Sequence, residues 1–222
     1  MARLKRLAAP KWWPIERKTQ KFIASPRGPH KKTASLPLVI LIRDVLKLSQ
    51  NSNEAESIIK KGEILVDGRK KKDPHYAVGL LDVIDIPSMK KSFRTIPSLS
   101  GGLRFIEISD KNKKICKILD KKMLKGNKTQ LNLIDGRNII SSSDYSTQDS
   151  LLIELPDQKI LERLEFKKGN LGLVFDGKNC GIVGKINDVE KERVWIGEQN
   201  PIEVPKRYVM IIGREKSLVQ IE

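Results

Sequence analysis

The sequence is poor in the residue types that support redox chemistry, disulfide scaffolds and metal sites. Its 222 residues include two cysteines, two histidines and 5% aromatic residues. Cys116 and Cys180 lie far apart and neither belongs to a Cys-x-x-Cys pair, which argues against a zinc site or a disulfide framework. His30 and His75 have no partner at metal-ligand spacing. We therefore expect small buried cysteines, no metal and no cofactor.

Long apolar segments are also missing. No run of about 18 apolar residues is present, and neither a basic amphipathic helix nor a lipidation motif occurs, so no membrane partner is expected. The start, Met1 to Arg6, is not followed by the apolar stretch of a secretory signal. These features predict a cytoplasmic protein.

Acidic residues are scarce in the first 32 positions, where ten residues are Lys or Arg and only Glu16 is acidic. This stretch therefore holds +9 of the formal net charge of +16. Charge, proline and tryptophan are mixed there without periodicity, which predicts a segment that cannot build a core and stays disordered until it meets a polyanion. A solubilising tail is the alternative, which the adjacent Trp12 and Trp13 disfavour.

Basic arms of this kind thread nucleic acid, with Lys and Arg on phosphates and with rings stacked on unpaired bases or packed against neighbouring protein. The candidate contacts of this basic arm (residues 1–36) are its cations and three ring side chains. They are Arg3, Lys5, Arg6, Lys11, Trp12, Trp13, Arg17, Lys18, Lys21, Arg27, His30, Lys31 and Lys32.

Two short helices are predicted after the arm. Apolar residues recur at helical spacing over 36–49, with Pro37 in the first turn and Arg43 and Lys47 together on the polar face. A second helix is predicted to follow and to carry Lys60 and Lys61 in its last turn.

The second helix has recognisable end signals. Asn53 is the predicted cap, Glu56 is expected to reach back to it, and Gly62 suits a left-handed end. A strand with an Asp67-Gly68 turn, a run of four basic residues and a last strand then complete a small hairpin. These segments are residues 63–68, 69–72 and 82–86.

This segment resembles the S-four-type RNA-binding domain. The likeness lies in Arg43-Asp44-Val45-Leu46, in the run from Ala55 to Gly68, and in Leu81-Asp82-Val83-Ile84, although the usual Gly-Asp before the final strand is replaced by Leu81-Asp82. The resemblance implies a set of RNA-facing residues on the first helix, the end of the second helix and the basic run. They are Arg43, Lys47, Lys60, Lys61, Arg69, Lys70, Lys71 and Lys72.

The rest of the chain is predicted to be β-structure. Apolar and polar residues alternate at period two between residues 99 and 165, with a tight turn at Asp135-Gly136. No catalytic cluster stands out there, and a spacer and contact role is expected. From Phe166, glycines at 177, 181 and 184 interrupt strand-like runs, which predicts a small curled β-barrel. A phosphate loop is excluded because no Gly-Lys-Ser/Thr sequence opens a helix.

The spacing of these three glycines resembles the KOW motif, which lies in an SH3-like barrel and contacts RNA. The resemblance implies that Lys178 and Asn179 contact RNA. Over nearly its whole length the chain resembles the small-subunit ribosomal protein four family of archaea and eukaryotes, the e-type. The likeness is carried by Leu4 to Lys11, Gly28-Pro29-His30-Lys31, Leu36-Pro37-Leu38, Asp135-Gly136-Arg137 and Phe166 to Leu171.

The sequence thus predicts a multi-domain α+β protein: basic extended arm 1–36, S-four-type domain 37–98, central β-rich domain 99–165 and KOW SH3-like barrel 166–222. The resemblance implies a structural constituent of the small ribosomal subunit, of archaeal type because no longer basic tail follows Gly213. Its implied partners are small-subunit ribosomal RNA and neighbouring ribosomal proteins, with no small-molecule substrate and no catalysis. The alternatives are an RNA-modification enzyme or assembly factor, for which Asp135 is the one catalytic candidate, and a KOW-type transcription factor.

Overall fold

The structure, a computed structural model, describes residues 4–126, 128–197 and 201–221. The described part is mostly β-structure in several antiparallel sheets with few helices. None of its helices combines the length and the apolar character that crossing a lipid bilayer requires.

The basic arm is folded rather than free. Strands β1 (Leu4–Lys5) and β2 (Phe22–Ile23) pair antiparallel, and single helical turns occupy Arg6–Ala8 and Lys32–Ala34. Ala9 and Trp13 are buried in a core that they share with the following module. The prediction that this segment cannot contribute to a core is therefore wrong, as is the prediction that it stays disordered and extended.

The first predicted helix is shorter than expected. Strand β3 (Leu36–Pro37) leads into α1 (Leu38–Ile40), which continues as one π-helical turn over Leu41–Val45. Pro37 has extended backbone angles and does not start the helix. Lys47 has a φ of 52°, outside the right-handed helical region, so the chain turns away before the predicted end.

Helix α2 (Ser52–Lys61) ends as predicted but begins earlier. Gly62 has a φ of 77° and its amide donates to the Ile59 carbonyl, which confirms the left-handed cap. The helix is capped at Asn51, where the Glu54 carboxylate accepts the amides of Gln50 at 3.0 Å and Asn51 at 3.4 Å. The predicted Asn53–Glu56 pair has the same three-residue spacing, which is why the sequence did not separate the two registers.

One five-stranded sheet connects the predicted second and third modules. Its order is β5-β4-β7-β8-β9, while β6 pairs with β3. The predicted boundary at residues 98 and 99 falls in the loop between β8 and β9, which are neighbours in this sheet. The strands are β4 (Leu65–Val66), β5 (Arg69–Lys70), β6 (Ala77–Val78), β7 (Val83–Ile86), β8 (Lys91–Pro97) and β9 (Leu103–Glu107), with a helical turn at Pro87–Met89.

The central sheet has the order β12-β11-β10-β13-β14. Its longest strand, β10, pairs with β13 through residues 113–117 and with β11 through residues 118–124. The strands are β10 (Lys113–Leu124), β11 (Lys128–Leu133), β12 (Asn138–Ser141), β13 (Ser150–Glu154) and β14 (Ile160–Leu164). The β-structure predicted from period-two alternation is thereby confirmed.

The last sheet has the order β18-β17-β16-β15-β19, with all neighbours antiparallel. Gly177 and Gly181 have φ values of 88° and 90°, and Gly184 lies so close to β17 that an added Cβ would be 3.0 Å from Ile196. Positive φ and close approach of another strand are the two situations that require glycine. The strands are β15 (Leu171–Val174), β16 (Val183–Val189), β17 (Arg193–Ile196), β18 (Ile202–Pro205) and β19 (Val209–Gly213), with a helical turn at Lys206–Tyr208.

Strand β10 separates two of the three main apolar cores. Cys116 and Ile118 belong to the core of the central sheet, whereas Ile115 faces the large core shared with the last sheet. Both cysteines are buried, as predicted. The third core joins the basic arm to the helices and to β7.

Candidate nucleic-acid interface

Trp13 anchors the basic arm to the second module. Its side chain is 3% exposed, and its indole Nε1 donates to the Ser35 carbonyl at 3.2 Å. The Trp12 ring packs edge-on against it, with 6.3 Å between the ring centroids. Because Trp13 is enclosed by its own chain, it packs within the protein and is not available to stack on a base. Trp12 is only half-buried and keeps part of its surface.

The glycine-rich loop of residues 98–102 connects Trp12 with the predicted KOW loop. Trp12 lies against Gly102, where an added Cβ would overlap the indole ring. At the other side, a Cβ on Gly181 would lie 2.9 Å from the Leu99 nitrogen. The loop thereby brings Trp12 to the same region as Lys178 and Asn179, and Leu99 projects from its tip with 74% of its surface exposed.

Most predicted contact cations are on the surface. The exposed ones are Lys5, Lys11, Lys18, Lys21, Arg27, Lys31, Lys32, Lys47, Lys60, Lys61, Arg69, Lys70, Lys72 and Lys178. Arg17, Arg43, Lys71 and Asn179 are half-buried, and Arg3 lies outside the described residues. This distribution gives the protein a broad cationic surface that can neutralise phosphates.

Three predicted contact arginines hold the fold together instead of facing solvent freely. The buried Arg6 donates to the Glu16 carbonyl at 2.7 Å. Arg17 donates to the carbonyls of Ala9 and Pro10 at 3.0 and 2.7 Å, which closes the turn of the basic arm. Arg43 forms a bidentate pair with the neighbouring Asp44, at 2.9 and 2.6 Å, and so shares its charge within the protein.

The end of α2 and the β4–β5 hairpin form a second cationic region. Lys60 and Lys61 line a shallow depression on α2 together with Asn53, Glu56 and Ser57. On the hairpin, Arg69 donates to the Pro156 carbonyl at 3.3 Å, and the Lys71 ammonium lies 4.3 Å from the centre of the Tyr76 ring. Both side chains therefore contact the protein, next to the exposed Lys70 and Lys72.

A buried ion cluster lies where the basic arm, the β4–β5 turn and the central sheet meet. Its centre is the fully buried Lys114 ammonium, which is 2.9 Å from Asp67, 2.5 Å from Asp82 and 3.1 Å from Asp135. Arg137 forms ion pairs with Asp67 and Asp135. The buried charges are thus paired from both sides, as burial requires.

The charged groups of this cluster shift one another's pKa values. Burial alone would lower the pKa of Lys114, but the three aspartates outweigh it and hold this pKa well above its usual value. Burial would raise the pKa of Asp82, and the charges of Lys114 and His30 reverse this and hold it below its ordinary range. Burial raises the pKa of Asp67. The Lys114 ammonium is therefore the fixed charge around which the carboxylates are arranged.

His30 belongs to this cluster and not to the surface. Its imidazole Nε2 lies 2.9 Å from Asp82, and its side chain is 7% exposed. Gly79 makes room for the ring, since a Cβ at this position would overlap the imidazole, and the Gly79 amide donates to Asp82 at 2.8 Å. Gly79, three residues before Asp82, thus takes part in the turn that precedes the final strand. Because the ring is enclosed, His30 packs within the protein, and base stacking is not available to it in this arrangement.

Asp135 has its oxygens occupied within the fold. It accepts the Arg137 amide at 3.1 Å in the predicted turn, and its other oxygen faces Lys114 and the Cys116 thiol. Burial raises the pKa of Cys116 well above its usual value, so the thiol stays protonated and can donate. The sequence does not predict the cluster as a whole, because Lys114 stands beside Lys113 and close to Lys117 and nothing in the sequence marks it as the buried one.

Lys117 connects the central sheet to the last one. The fully buried ammonium donates to the carbonyls of Lys206, Arg207 and Val209 at 3.0, 3.0 and 2.6 Å. Burial, together with the charge of Lys206, lowers the pKa of Lys117 to about 7. A single side chain therefore holds the helical turn before β19 against β10.

We expect Lys117→Met to destabilise the protein by about 2–3 kcal/mol, since three carbonyls lose their donor while the apolar stem is retained. Urea denaturation measures this change. Lys113→Met, at an exposed position of the same strand, is the control and should shift stability by less than about 0.5 kcal/mol. Equal stabilities of the two variants would contradict a structural role for the Lys117 contacts.

The sequence is similar to known families and proteins over nearly its whole length. A sequence model described as the RS4NT (NUC023) domain matches residues 2–33, and one described as Ribosomal family S4e matches residues 89–160. The protein named small ribosomal subunit protein eS4 from Methanocella arvoryzae is 38% identical over 225 residues, which covers 98% of this chain and 96% of that protein. Its namesake from Methanosphaera stadtmanae is 40% identical over 228 residues, covering 98% and 95%.

A solved structure agrees with these sequence matches. The crystal structure of the 30S ribosomal protein S4e from Thermoplasma acidophilum superimposes with a TM-score of 0.72 at 30% identity, and the match covers 81% of this chain and 95% of that one. The sequence similarity covers 98% of the chain, and the structural comparison shows that the fold is similar as well. The chain belongs to the S4e family of ribosomal proteins.

Proposed function

We propose that this protein is a structural constituent of the small ribosomal subunit, where it binds ribosomal RNA and supports subunit assembly and translation. The observation that carries the proposal is its identity of 38–40% with small ribosomal subunit proteins over 98% of its length. The broad surface of exposed lysines and arginines is what such a role needs, because surface cations neutralise phosphates and release their counterions.

The proposed RNA-binding modules are the basic arm, an S-four-type domain over residues 37–98 and a KOW SH3-like barrel over residues 166–222, with the central β-rich domain between them. The cationic end of α2 beside the β4–β5 hairpin supports the assignment of the S-four-type domain. The antiparallel last sheet, with Gly177 and Gly181 at positive φ, supports the assignment of the KOW barrel.

The exposed cations among the predicted contact residues are proposed to bind phosphates, and Trp12 is the ring with surface left for stacking. Trp13, His30 and Arg6 take a different role in this proposal: they position the arm on the protein. Because the arm is already folded in the free protein, binding does not carry the full ordering cost of about 1–2 kcal/mol per residue.

The proposed location is the ribosome in the cytoplasm, with ribosomal RNA and neighbouring ribosomal proteins as partners and without catalysis. An RNA-modification enzyme or assembly factor is the rival function. It would need a free carboxylate for chemistry, and Asp135, its one sequence candidate, is engaged by Lys114, Arg137 and Cys116.

Sedimentation of a native cell lysate through sucrose, with antibody detection at low and high monovalent salt, tests the proposal. One copy per small subunit, released only by stripping salt, is the expected result. Recovery in the light soluble fractions, or far below one copy per subunit, would favour the transiently acting enzyme or assembly factor.

The salt dependence of RNA binding tests the role of the basic arm. A triple variant of exposed arm lysines, Lys11→Gln, Lys18→Gln and Lys32→Gln, should lower the slope of log affinity against log salt by roughly 2–3, because each phosphate contact contributes about 0.7–0.9. Filter binding of purified protein to a transcript of small-subunit ribosomal RNA measures the slope. An unchanged slope would mean that these lysines do not contact phosphates.

A further inference from the structure

The outer half of the β10–β11 hairpin leaves the core of the central sheet. The β10 side chains of Lys114 to Ile118 are buried, whereas every residue from Leu119 to Met123 is exposed. At the tip, Met123 is 77% exposed. We name residues 119–126 and 128–130 the lysine hairpin. Its outer residues pair with each other but bury little, so core packing does not explain its length.

The lysine hairpin concentrates positive charge. It contains Lys121, Lys122, Lys125 and Lys128 and one acid, Asp120. Lys121 is held by Asp144 at 3.2 Å and by the Tyr145 carbonyl at 3.0 Å. Within the described residues, no carboxylate forms an ion pair with the other three lysines.

Two of these lysines share one face with amide side chains. Lys122 pairs with Gln130, and Leu124 pairs with Lys128, so Lys122 and Lys128 are diagonal neighbours on the same face of the ribbon, with Cα atoms about 7–8 Å apart. Asn132 lies two residues further on that face and accepts from the Gln130 amide at 2.9 Å. Asp120 pairs with Asn132 and lies at the inner end of this face, whereas Lys122 and Lys128 lie toward the tip. The outer part of the face therefore combines like charges that repel each other with hydrogen-bonding groups, which suits an anionic, hydroxyl-rich partner.

We propose that the lysine hairpin lies across the minor groove of an RNA helix, with Lys122, Lys125 and Lys128 on phosphates and the Gln130 and Asn132 amides facing 2′-hydroxyls. The wide, shallow minor groove of A-form RNA displays these hydroxyls and admits a flat surface. Lysine supplies point charges without a planar fork, which fits recognition of the backbone and not of base sequence. This inference rests on the proposed function and adds a contact in the central domain, for which only a spacer and contact role was predicted.

The hairpin contact is separate from that of the basic arm. The turn at the opposite end of β11 packs on the arm, since a Cβ on Gly136 would lie 2.7 Å from Pro29. The five residue steps from Lys128 to Leu133 place the tip about 17 Å from that turn, at roughly 3.4 Å per residue. The two surfaces can therefore hold different parts of one RNA, and their phosphate contacts add in the salt dependence.

Tethered hydroxyl-radical probing tests the position of the hairpin. Both native cysteines are buried, so Met123→Cys creates an exposed thiol to which iron–EDTA can be coupled. Leu7→Cys, in the basic arm, is the positive control, and Leu161→Cys, an exposed site on β14, is the comparison. We expect the Met123 probe, in complexes of full-length protein with small-subunit ribosomal RNA, to cut both strands of one helix outside the segment cut from Leu7.

The outcomes separate the inference from the proposed function. Cleavage from Leu7 without cleavage from Met123 would overturn the hairpin contact and leave RNA binding intact. Absence of cleavage from every site, together with recovery in light gradient fractions, would contradict the proposed function itself. Crosslinking of the Met123 thiol to a neighbouring protein in native subunits, without RNA cleavage, would identify the hairpin as a protein contact and overturn the inference.

A charge variant gives an independent readout. Lys122→Gln, Lys125→Gln and Lys128→Gln together should lower the log–log salt slope by roughly 2–3. The matched control replaces Lys159, Lys191 and Lys216, exposed lysines that each lie within two residues of an acid, and should leave the slope unchanged. Equal slopes for the two triple variants would contradict phosphate binding by the hairpin.

Discussion

Replacing Lys114 with alanine should lower the free energy of unfolding by about 3–5 kcal/mol. The ammonium is the shared partner of Asp67, Asp82 and Asp135, and its removal leaves three buried carboxylates with only Arg137 and His30 to balance them. Breaking a buried pair by removing one partner has a cost of this size because the remaining charge has no water around it. Urea denaturation followed by circular dichroism measures the change.

An exposed lysine is the matched control. Lys111 forms an ion pair with Asp85 at 2.9 Å, but its side chain is half exposed. Lys111→Ala should therefore reduce stability by at most about 1 kcal/mol. Similar losses in the two variants would show that the buried cluster contributes no more than a surface pair. If Lys114→Ala does not fold, Asp135→Asn, which keeps the side-chain volume and removes one charge, provides the graded comparison.

The contribution of Lys114 also has a predictable pH dependence. Its pKa in the folded protein is raised, so the stability it provides is complete below the pKa of an unfolded lysine, about 10.4, and is lost as the pH rises through the folded value. The difference in stability between the parent protein and Lys114→Ala should thus be constant near neutrality and shrink above about pH 10.4. A difference that grows with alkaline pH would contradict this ionic arrangement.

The sequence predicts elements that depend on local signals. Gly62 ends α2 as predicted because the left-handed cap is a property of one residue type at one position. The alternation between residues 99 and 165 predicts strands because a strand places successive side chains on opposite faces. Local signals have limits even here: Asn51 and Asn53 offer the same capping pattern, and packing selects the first.

The sequence does not predict contacts between distant segments. Trp13 lies in a stretch without periodicity, and its burial depends on Ser35 and on a core supplied by later helices. The ion cluster likewise pairs residues that are far apart in the chain, such as Asp67 and Arg137 at a separation of 70 positions, and neither residue is distinctive in the sequence. Charge composition therefore indicates the class of partner but not which cations face it, since Arg6 and His30 are used inside the protein.

Trp13→Ala should destabilise the protein by about 3–5 kcal/mol, the range for truncating a large buried aromatic side chain. The variant loses the packing of a ring that is almost fully buried and leaves the Ser35 carbonyl without its donor. Because Trp13 attaches the basic arm to the core, we also expect trypsin to cut at the arm lysines faster than in the parent protein. Denaturation and timed proteolysis measure the two effects.

Trp195, which is half-buried on β17, is the control for this second variant. Trp195→Ala should reduce stability without changing the rate of cleavage in the basic arm, whereas Trp13→Ala should change both. Unchanged arm proteolysis in Trp13→Ala would contradict attachment through this residue. The released arm must be ordered again when it binds RNA, at about 1–2 kcal/mol per residue. Trp13→Ala should therefore weaken RNA binding while the salt slope stays constant, because the phosphate-binding lysines are all still present.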